Sequence, residues 1–316
     1  MIKVRQVLLC SAVPFFFLAA SCVRENSSRK QDIHVQQMSG FPNQEFGYEL
    51  GVSACYAGII GNKLVMAGGC NFAGKSAAEG GPKYFYKGIY TAEITEDSVL
   101  VWRQVGELPS PVAYGVSISR SGEMILIGGN NADGGLTSVF RLKLAEDGGA
   151  ILDTLPSLPF ALDNMSGAAS GNTIYVAGGN RNGSPSTSML SLNLNEPELG
   201  WKEEVPFPGA ARVQPVCAVQ DGMLYLWGGF CPSQNGGEAS VATDGYRYLP
   251  LQERWEPVPA PAVAETGEPL TLTGGTSCVW SDSIILCTGG VDKDIFLDAI
   301  SGDYKRIAKE DYLLQP

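Results

Sequence analysis

A single histidine, His34, stands in 316 residues, which removes any multi-histidine metal site from consideration. No C-x-x-C occurs either, so neither a zinc ribbon nor a thioredoxin-like motif is present. Positive charge is scarce: 22 Lys and Arg against 33 Asp and Glu give a net charge of −11. Cleaving a leader that carries Lys3 and Arg5 would take that to −13, and nucleic acid is an unsuitable partner for such a surface. The longest apolar run, Val7–Ala20, is too short for a comfortable transmembrane span.

That run instead has the layout of a signal peptide. Lys3 and Arg5 precede it, it contains Phe15-Phe16-Phe17-Leu18, and it ends at Leu18-Ala19-Ala20-Ser21-Cys22. These last residues resemble a bacterial lipobox, with Ala19 where leucine is commoner. Residues 1–21 are therefore expected to be a leader, Cys22 a lipid anchor, and 22–32 a polar tether between membrane and domain. Ordinary secretion with cleavage near Ser21 is the competing reading. With Cys10 and Cys22 set aside, six cysteines remain. Cys217, Cys278 and Cys287 alternate with apolar residues and read as small buried hydrophobes. Cys55, Cys70 and Cys231 fall at strand or loop ends, where a Cys70–Cys231 pair is one possibility that sequence alone does not assign.

What the chain has in abundance is glycine, 39 residues of it, and much of it is in phase. GNKLVMAGG (Gly61–Gly69), GEMILIGG (Gly122–Gly129), GNTIYVAGG (Gly171–Gly179), GMLYLWGG (Gly222–Gly229) and DSIILCTGG (Asp282–Gly290) each join a polar turn, an apolar strand and a glycine pair. The second glycines are spaced by 60, 50, 50 and 61 residues. A strand ending in Gly-Gly at a period of about 50 residues is the mark of a kelch-type β-propeller blade. Later markers in each unit read as outer strands: Val101–Pro109, Ile151–Pro159, Trp201–Pro208 and Trp255–Pro259. Inner strands are expected to begin near Tyr56, Tyr114, Ser166, Pro215 and Thr276. Sheets packed radially bury both their faces, which a row of unrelated hairpins, the bland alternative, would not.

The two ends raise a question of closure. Ile33–Pro42 matches the pattern of Val101–Pro109 and reads as the outer strand, with His34 in it, of a blade whose other strands come from elsewhere. After Gly290 only 26 residues follow, and Ile295–Leu314 has helical rather than strand spacing, which points to an insertion. The expectation is an all-β kelch propeller over 33–316 that is incomplete at its C-terminus, with five blades or fewer.

The loops after each Gly-Gly and before each inner strand should open on one face around the axis. They are polar: Cys70–Lys87, Asn130–Gly135, Asn180–Thr187, Phe230–Glu238 and Val291–Asp294, with Tyr114, Asp163, Asn164, Arg212 and Gln214 on the inner-strand side. Asn130 and Asn180 share one position after the glycines, where amides suit hydroxyl-rich ligands or simply make turns. Arg212 can grip a carboxylate with two parallel hydrogen bonds, or sit in a surface ion pair. Glu79, Asp163 and Asp294 are acidic rim residues, none singled out by spacing as a base.

Asn71-Phe72, Ala113-Tyr114-Gly115-Val116-Ser117, Ile127-Gly128-Gly129-Asn130-Asn131, Thr288-Gly289-Gly290-Val291 and Asp294-Ile295-Phe296 together resemble the cyclically permuted N-acetylneuraminate (sialic acid) mutarotases, six-bladed kelch propellers of the bacterial envelope. The resemblance implies interconversion of the anomers of free sialic acid, a small acidic sugar, with no metal or cofactor. It also implies a periplasmic or outer-membrane location in a Gram-negative cell, with the membrane reached only through the lipid, and a monomer or dimer when the propeller is complete. The family's catalytic Glu and Arg lie in a G-E-x-K-P-G-x-R-T motif that these 316 residues lack, so no catalytic residue is assigned. The implied ligand positions are Asn71, Phe72, Tyr114, Asn130 and Asp294, joined by Arg212 and Gln214 from the pattern itself. A sialidase is disfavoured because no Asp box (S-x-D-x-G-x-x-W) occurs. A non-catalytic propeller that binds glycans or proteins remains the alternative.

Overall fold

A computed structural model of the chain describes residues 5–8, 34–94, 99–234, 236–306 and 308–309. Four four-stranded antiparallel sheets follow one another in sequence, each ordered from inner to outer strand. Blade one comprises Tyr56–Ile60, Lys63–Ala67, Gly88–Glu93 and Trp102–Glu107; blade two, Val116–Arg120, Glu123–Ile127, Val139–Leu144 and Ala150–Thr154. Blade three comprises Ser166–Ser170, Thr173–Ala177, Met189–Asn193 and Lys202–Glu203; blade four, Val216–Gln220, Met223–Trp227, Gly245–Leu249 and Arg254–Pro257. Thr276–Ser281 and Ile284–Thr288 form the inner hairpin of a fifth unit. This is the kelch-type propeller the glycine period predicts.

Beyond its first residue the second strand of each blade is apolar or aromatic, because both of its faces are covered. In Glu123–Ile127 the two-residue alternation sends Met124 and Leu126 into the layer shared with blade one, and Ile125 and Ile127 into the layer shared with blade three. Further layers join blades three and four through Tyr175, Phe207 and Leu226, and blade four to the fifth hairpin through Val216, Trp227 and Leu272. Near the axis, serine hydroxyls stitch neighbouring inner strands together. Ser117 Oγ donates to the Ala57 carbonyl, and Ser166 Oγ accepts from the Cys217 N–H while Ser277 Oγ donates to the Cys217 carbonyl.

Blade one's other face is covered by residues 38–52, where Tyr48 is fully buried against Met66, Tyr86 and Tyr90. Ser39 bridges Val99, and Trp102 donates its indole N–H to the Gly40 carbonyl. Trp201 and Trp255 make the same contact with Pro156 and Val205, in the blade before their own. Residues 39–40 therefore occupy the place of a preceding blade's outer-strand end. His34–Gln37 is a strand paired in parallel with Arg5–Leu8, inside the expected leader. The rest of that leader, Cys22 and the whole of the tether lie outside the described residues. Of the helical spacing over Ile295–Leu314, the first part is realised, as the α-helix Lys293–Ser301, which ends at Gly302 and is capped by the Asp292 carboxylate, which accepts from the Asp294 and Ile295 N–H groups.

The cysteine expectations need two corrections. Cys70 and Cys231 are both buried free thiols, each on a short rim strand of its own blade. Cys278 is exposed: it shares a face of its hairpin with Leu286, opposite the face through which Ile285 and Cys287 pack against blade four.

Candidate functional site at the axial mouth

Just before each inner strand one residue adopts a left-handed backbone conformation: Ala54 (φ 56°), Tyr114 (60°), Asn164 (54°), Gln214 (51°) and Gly274 (70°). Their backbones form a chain around the axis. Tyr114 N–H donates to Ala54 at 2.9 Å, Asn164 to Tyr114 at 2.8 Å, Gln214 to Asn164 at 2.6 Å and Gly274 to Gln214 at 3.1 Å. A left-handed tyrosine is disfavoured by sterics, and such residues persist where the surroundings over-determine them. Here the interblade bonds do so, and they bring side chains from successive blades to one mouth. Inner strands accordingly begin at Val116 and Val216, two residues beyond Tyr114 and Gln214, which belong to the lead-in turns.

The glycine pairs sit directly behind this ring. Gly129 and Gly179 donate their N–H groups to Leu162 and Arg212 of the next lead-in. A Cβ on Gly179 would lie 2.3 Å from the Asp163 carbonyl oxygen, so the close approach requires glycine as much as its φ of 81° does.

Two groupings of side chains result. On the side of blades one and two, Lys83 Nζ donates to the Tyr114 hydroxyl at 2.9 Å and lies 4.9 Å from the centroid of that ring and 5.6 Å from that of Phe72. Burial raises the Tyr114 pKa, and the Lys83 hydrogen bond offsets this only in part, so the residue stays a phenol. Partial burial works against the Lys83 charge, but its interactions with Tyr114 outweigh that and leave its pKa raised, so it stays an ammonium. On the side of blades three and four, Gln214 Nε2 donates to Asn164 Oδ1 at 2.9 Å. Asn164 Nδ2 and Asn180 Nδ2 both donate to Asp163 Oδ1, at 2.6 and 2.8 Å. Below the mouth, small residues including Ser117, Gly167, Ala168, Ala218 and Ser277 keep open an axial cavity of about 210 Å³.

Tyr114 and Gln214 thus belong to the mouth, with half-exposed Phe72 beside Lys83. Asn130 leads its rim strand, and its side chain makes no hydrogen bond with the described residues. Asn71, expected to face the cavity, is instead turned into the loop before blade one. It donates to the Gly47 and Gly51 carbonyls and accepts from the Tyr86 hydroxyl. Asp294, in the first turn of the helix, pairs with Arg306 at 3.5 Å and touches neither grouping. Glu79 accepts from Ser76, closing its own short turn.

Arg212 departs furthest from both of its expected roles. It is 1% exposed, and its guanidinium is held by Asp244 through two hydrogen bonds, with Nε on Ala210 and Nη1 also on Gly228. The fork that was expected to hold a ligand's carboxylate is filled by the protein's own, beneath the ring rather than at its mouth. Burial by itself would raise the Asp244 pKa, but the Arg212 hydrogen bond and charge overcome that and hold it below the usual carboxylate range.

Sequence reasoning missed Lys83. It sits in the irregular Cys70–Lys87 loop, where no period marks a position. The left-handed ring did leave a signal, since residues 54, 114, 164, 214 and 274 repeat with the blades.

A family model described as N-acetylneuraminate epimerase matches residues 18–151 and 155–313. The chain belongs to that family. Among curated proteins, N-acetylneuraminate epimerases from Haemophilus influenzae (strain PittEE), Salmonella arizonae and Salmonella typhi are 35%, 34% and 32% identical to it over 143 residues. That stretch is 45% of this chain and 35% of each relative, so the alignment spans about a third of the length of the relatives it matches.

Proposed function

We propose that the chain binds free N-acetylneuraminate at the axial mouth and belongs to a protein that interconverts its anomers. Family membership supports the substrate class. The observation that carries the reading is the Lys83–Tyr114 pair. An ammonium only donates, so the Tyr114 oxygen must accept from it, and the phenolic proton is left to point elsewhere. The mouth therefore offers a fixed cation for the sugar's carboxylate and, beside it, a neutral O–H donor.

Opening the ring of a 2-keto sugar acid requires removing the proton of the anomeric hydroxyl and protonating the ring oxygen as its bond to the anomeric carbon breaks. Reclosure on the other face of the carbonyl gives the second anomer. In this reading Tyr114 gives its proton to the ring oxygen, solvent water at the open mouth takes the proton leaving the anomeric hydroxyl and returns one to Tyr114, and the Asn164–Gln214 amides hold hydroxyl or acetamido groups. The test is exchange NMR on N-acetylneuraminate, together with calorimetric binding. Binding with accelerated exchange is the expected result. Binding without it would favour the non-catalytic glycan-binding alternative, and no binding would overturn the reading.

We also propose that the protein works in the bacterial envelope, anchored by lipid at Cys22, on the strength of the leader pattern and lipobox-like Leu18–Cys22. Labelling with radioactive palmitate should mark the wild type and not Cys22→Ser; equal labelling would rule the anchor out.

A further inference from the structure

An ionised carboxylate can only accept hydrogen bonds, and this makes Asp163 more than another polar residue at the mouth. It is 5% exposed, and both contacts on its Oδ1 come from side-chain amides, Asn164 and Asn180. Each of those amides must turn its NH₂ group toward Asp163. Asn164 Oδ1 is then compelled to face the next blade, where it can take only a donor, and Gln214 supplies one through Nε2. The orientation of three amides thus follows from one charge. Gln214 Oε1 and Asn180 Oδ1 are left without a hydrogen-bond partner among the described residues, and Gln214 Oε1 lies 3.3 Å from where a Cβ on Gly274 would be.

We propose that Asp163 is a positioning residue that sets the polarity of this amide chain and with it the specificity of the mouth. The sector of blades three and four presents acceptors, to which a ligand must bring hydroxyl or amide N–H donors. The opposite sector presents Lys83 and Tyr114, to which it must bring a carboxylate or other acceptor. The ligand class is a small acid with its anionic group at one end and hydroxyl or amide donors at the other. That identification rests on the function proposed above, but the ordering of the amides does not.

The test compares wild type, Asp163→Asn and the double exchange Asp163→Asn with Asn164→Asp. In the single variant the residue at 163 can either donate or accept, so Asn164 and Gln214 lose their enforced orientation. In the double variant the carboxylate at 164 again accepts, from both 163 and Gln214, and aspartate tolerates the left-handed backbone there. Asp163→Asn should weaken N-acetylneuraminate binding about tenfold, and the exchange should recover most of the loss. KM is expected to rise more than kcat falls, since Asp163 acts through Gln214 and Asn180. Equal binding by wild type and Asp163→Asn, or a double variant that melts like wild type yet binds no better than the single, would overturn the proposal. A second readout needs neither the sugar nor a variant: side-chain amide NMR of the wild type should show one slowly exchanging N–H on each of Asn164, Asn180 and Gln214. Fast exchange at all three overturns the ordering, whereas slow exchange without sugar binding would leave it standing and remove only the functional reading.

Discussion

Gln214 is bonded to Asn164 twice, by its backbone N–H to the carbonyl at 2.6 Å and by its side-chain amide to Oδ1 at 2.9 Å. One bond holds blade four to blade three, and the other holds an amide of the axial mouth in place. The residue pair that assembles the propeller is thus also the pair that shapes its mouth. Groups at the mouth are fixed before a ligand arrives, which lowers the ordering cost of binding.

Lys83 and Tyr114 should separate binding from chemistry. Lys83→Ala removes the cation held beside Tyr114, and should weaken N-acetylneuraminate binding roughly ten- to hundredfold, the worth of a charge-assisted contact. Tyr114→Phe keeps the ring beside Lys83 and loses the proton. Affinity should then change only a few-fold, while anomer exchange in a protein that catalyses it slows by at least about a hundredfold. Calorimetry and exchange NMR on the same samples check both. Equal loss of affinity in the two variants would show that the pair acts as a unit.

The thiols give a test of the packing that needs no ligand. Among the six described cysteines Cys278 is exposed, whereas Cys70, Cys217 and Cys231 are buried. Burial pushes the Cys217 thiol up to about 12, further suppressing its reactive thiolate. A maleimide added to native protein should therefore mark Cys278 first, as read by peptide mass mapping, and the buried three only on unfolding. A Cys70–Cys231 bridge found in the mapped peptides would contradict the structure.

The propeller was legible because its cause is periodic: five glycine pairs, and apolar second strands between layers that bury both faces. The lead-in ring was half legible. Tyr114 and Gln214 stood out as polar groups near the inner strands, but left-handed geometry at residues as different as Ala54 and Gln214 is imposed by interblade bonds, which no local propensity reports. Arg212 misled because a sequence shows a guanidinium but not what fills its fork. Asp244, 32 residues away, carries no motif connecting it to Arg212. Lys83 was hidden in an aperiodic loop, and Asn71 was assigned by family pattern to a cavity that its side chain turns away from.

Two glycines of blade three should respond differently to alanine. Gly171 has φ 57° but open space around its Cβ position, so Gly171→Ala should cost only the left-handed penalty, about 1–2 kcal/mol. At Gly179 the new methyl would meet the Asp163 carbonyl at 2.3 Å and the Met165 backbone nitrogen at 2.6 Å, neither the end of a flexible side chain. Overpacking adds roughly 1–3 kcal/mol to the conformational cost, so Gly179→Ala should be the more destabilising by urea unfolding. It should also disturb binding, because the backbone it displaces carries Asp163 and Asn164.

The ion pair beneath the mouth makes stability depend on acid in a predictable direction. Asp244 has its pKa lowered on folding, so the folded state binds fewer protons than the unfolded chain wherever the unfolded residue begins to protonate. Its contribution is fully present well above the unfolded carboxylate value of about 3.9, and is lost as the pH falls through the lower folded value. Asp244→Asn should remove that part of the slope, leaving a flatter stability profile below about pH 5. Asp244→Ala is more severe, because it strands the Arg212 guanidinium, which is 1% exposed. Breaking one side of a buried pair costs about 3–5 kcal/mol, and the lower end applies here because the Asp244 side chain is 39% exposed. Arg212→Ala should likewise appear as lost stability, with N-acetylneuraminate affinity nearly unchanged in the fraction that remains folded. Denaturant melts at several pH values, run beside calorimetry, distinguish this from a ligand-gripping arginine. Wild-type stability with a large loss of affinity would return Arg212 to the substrate.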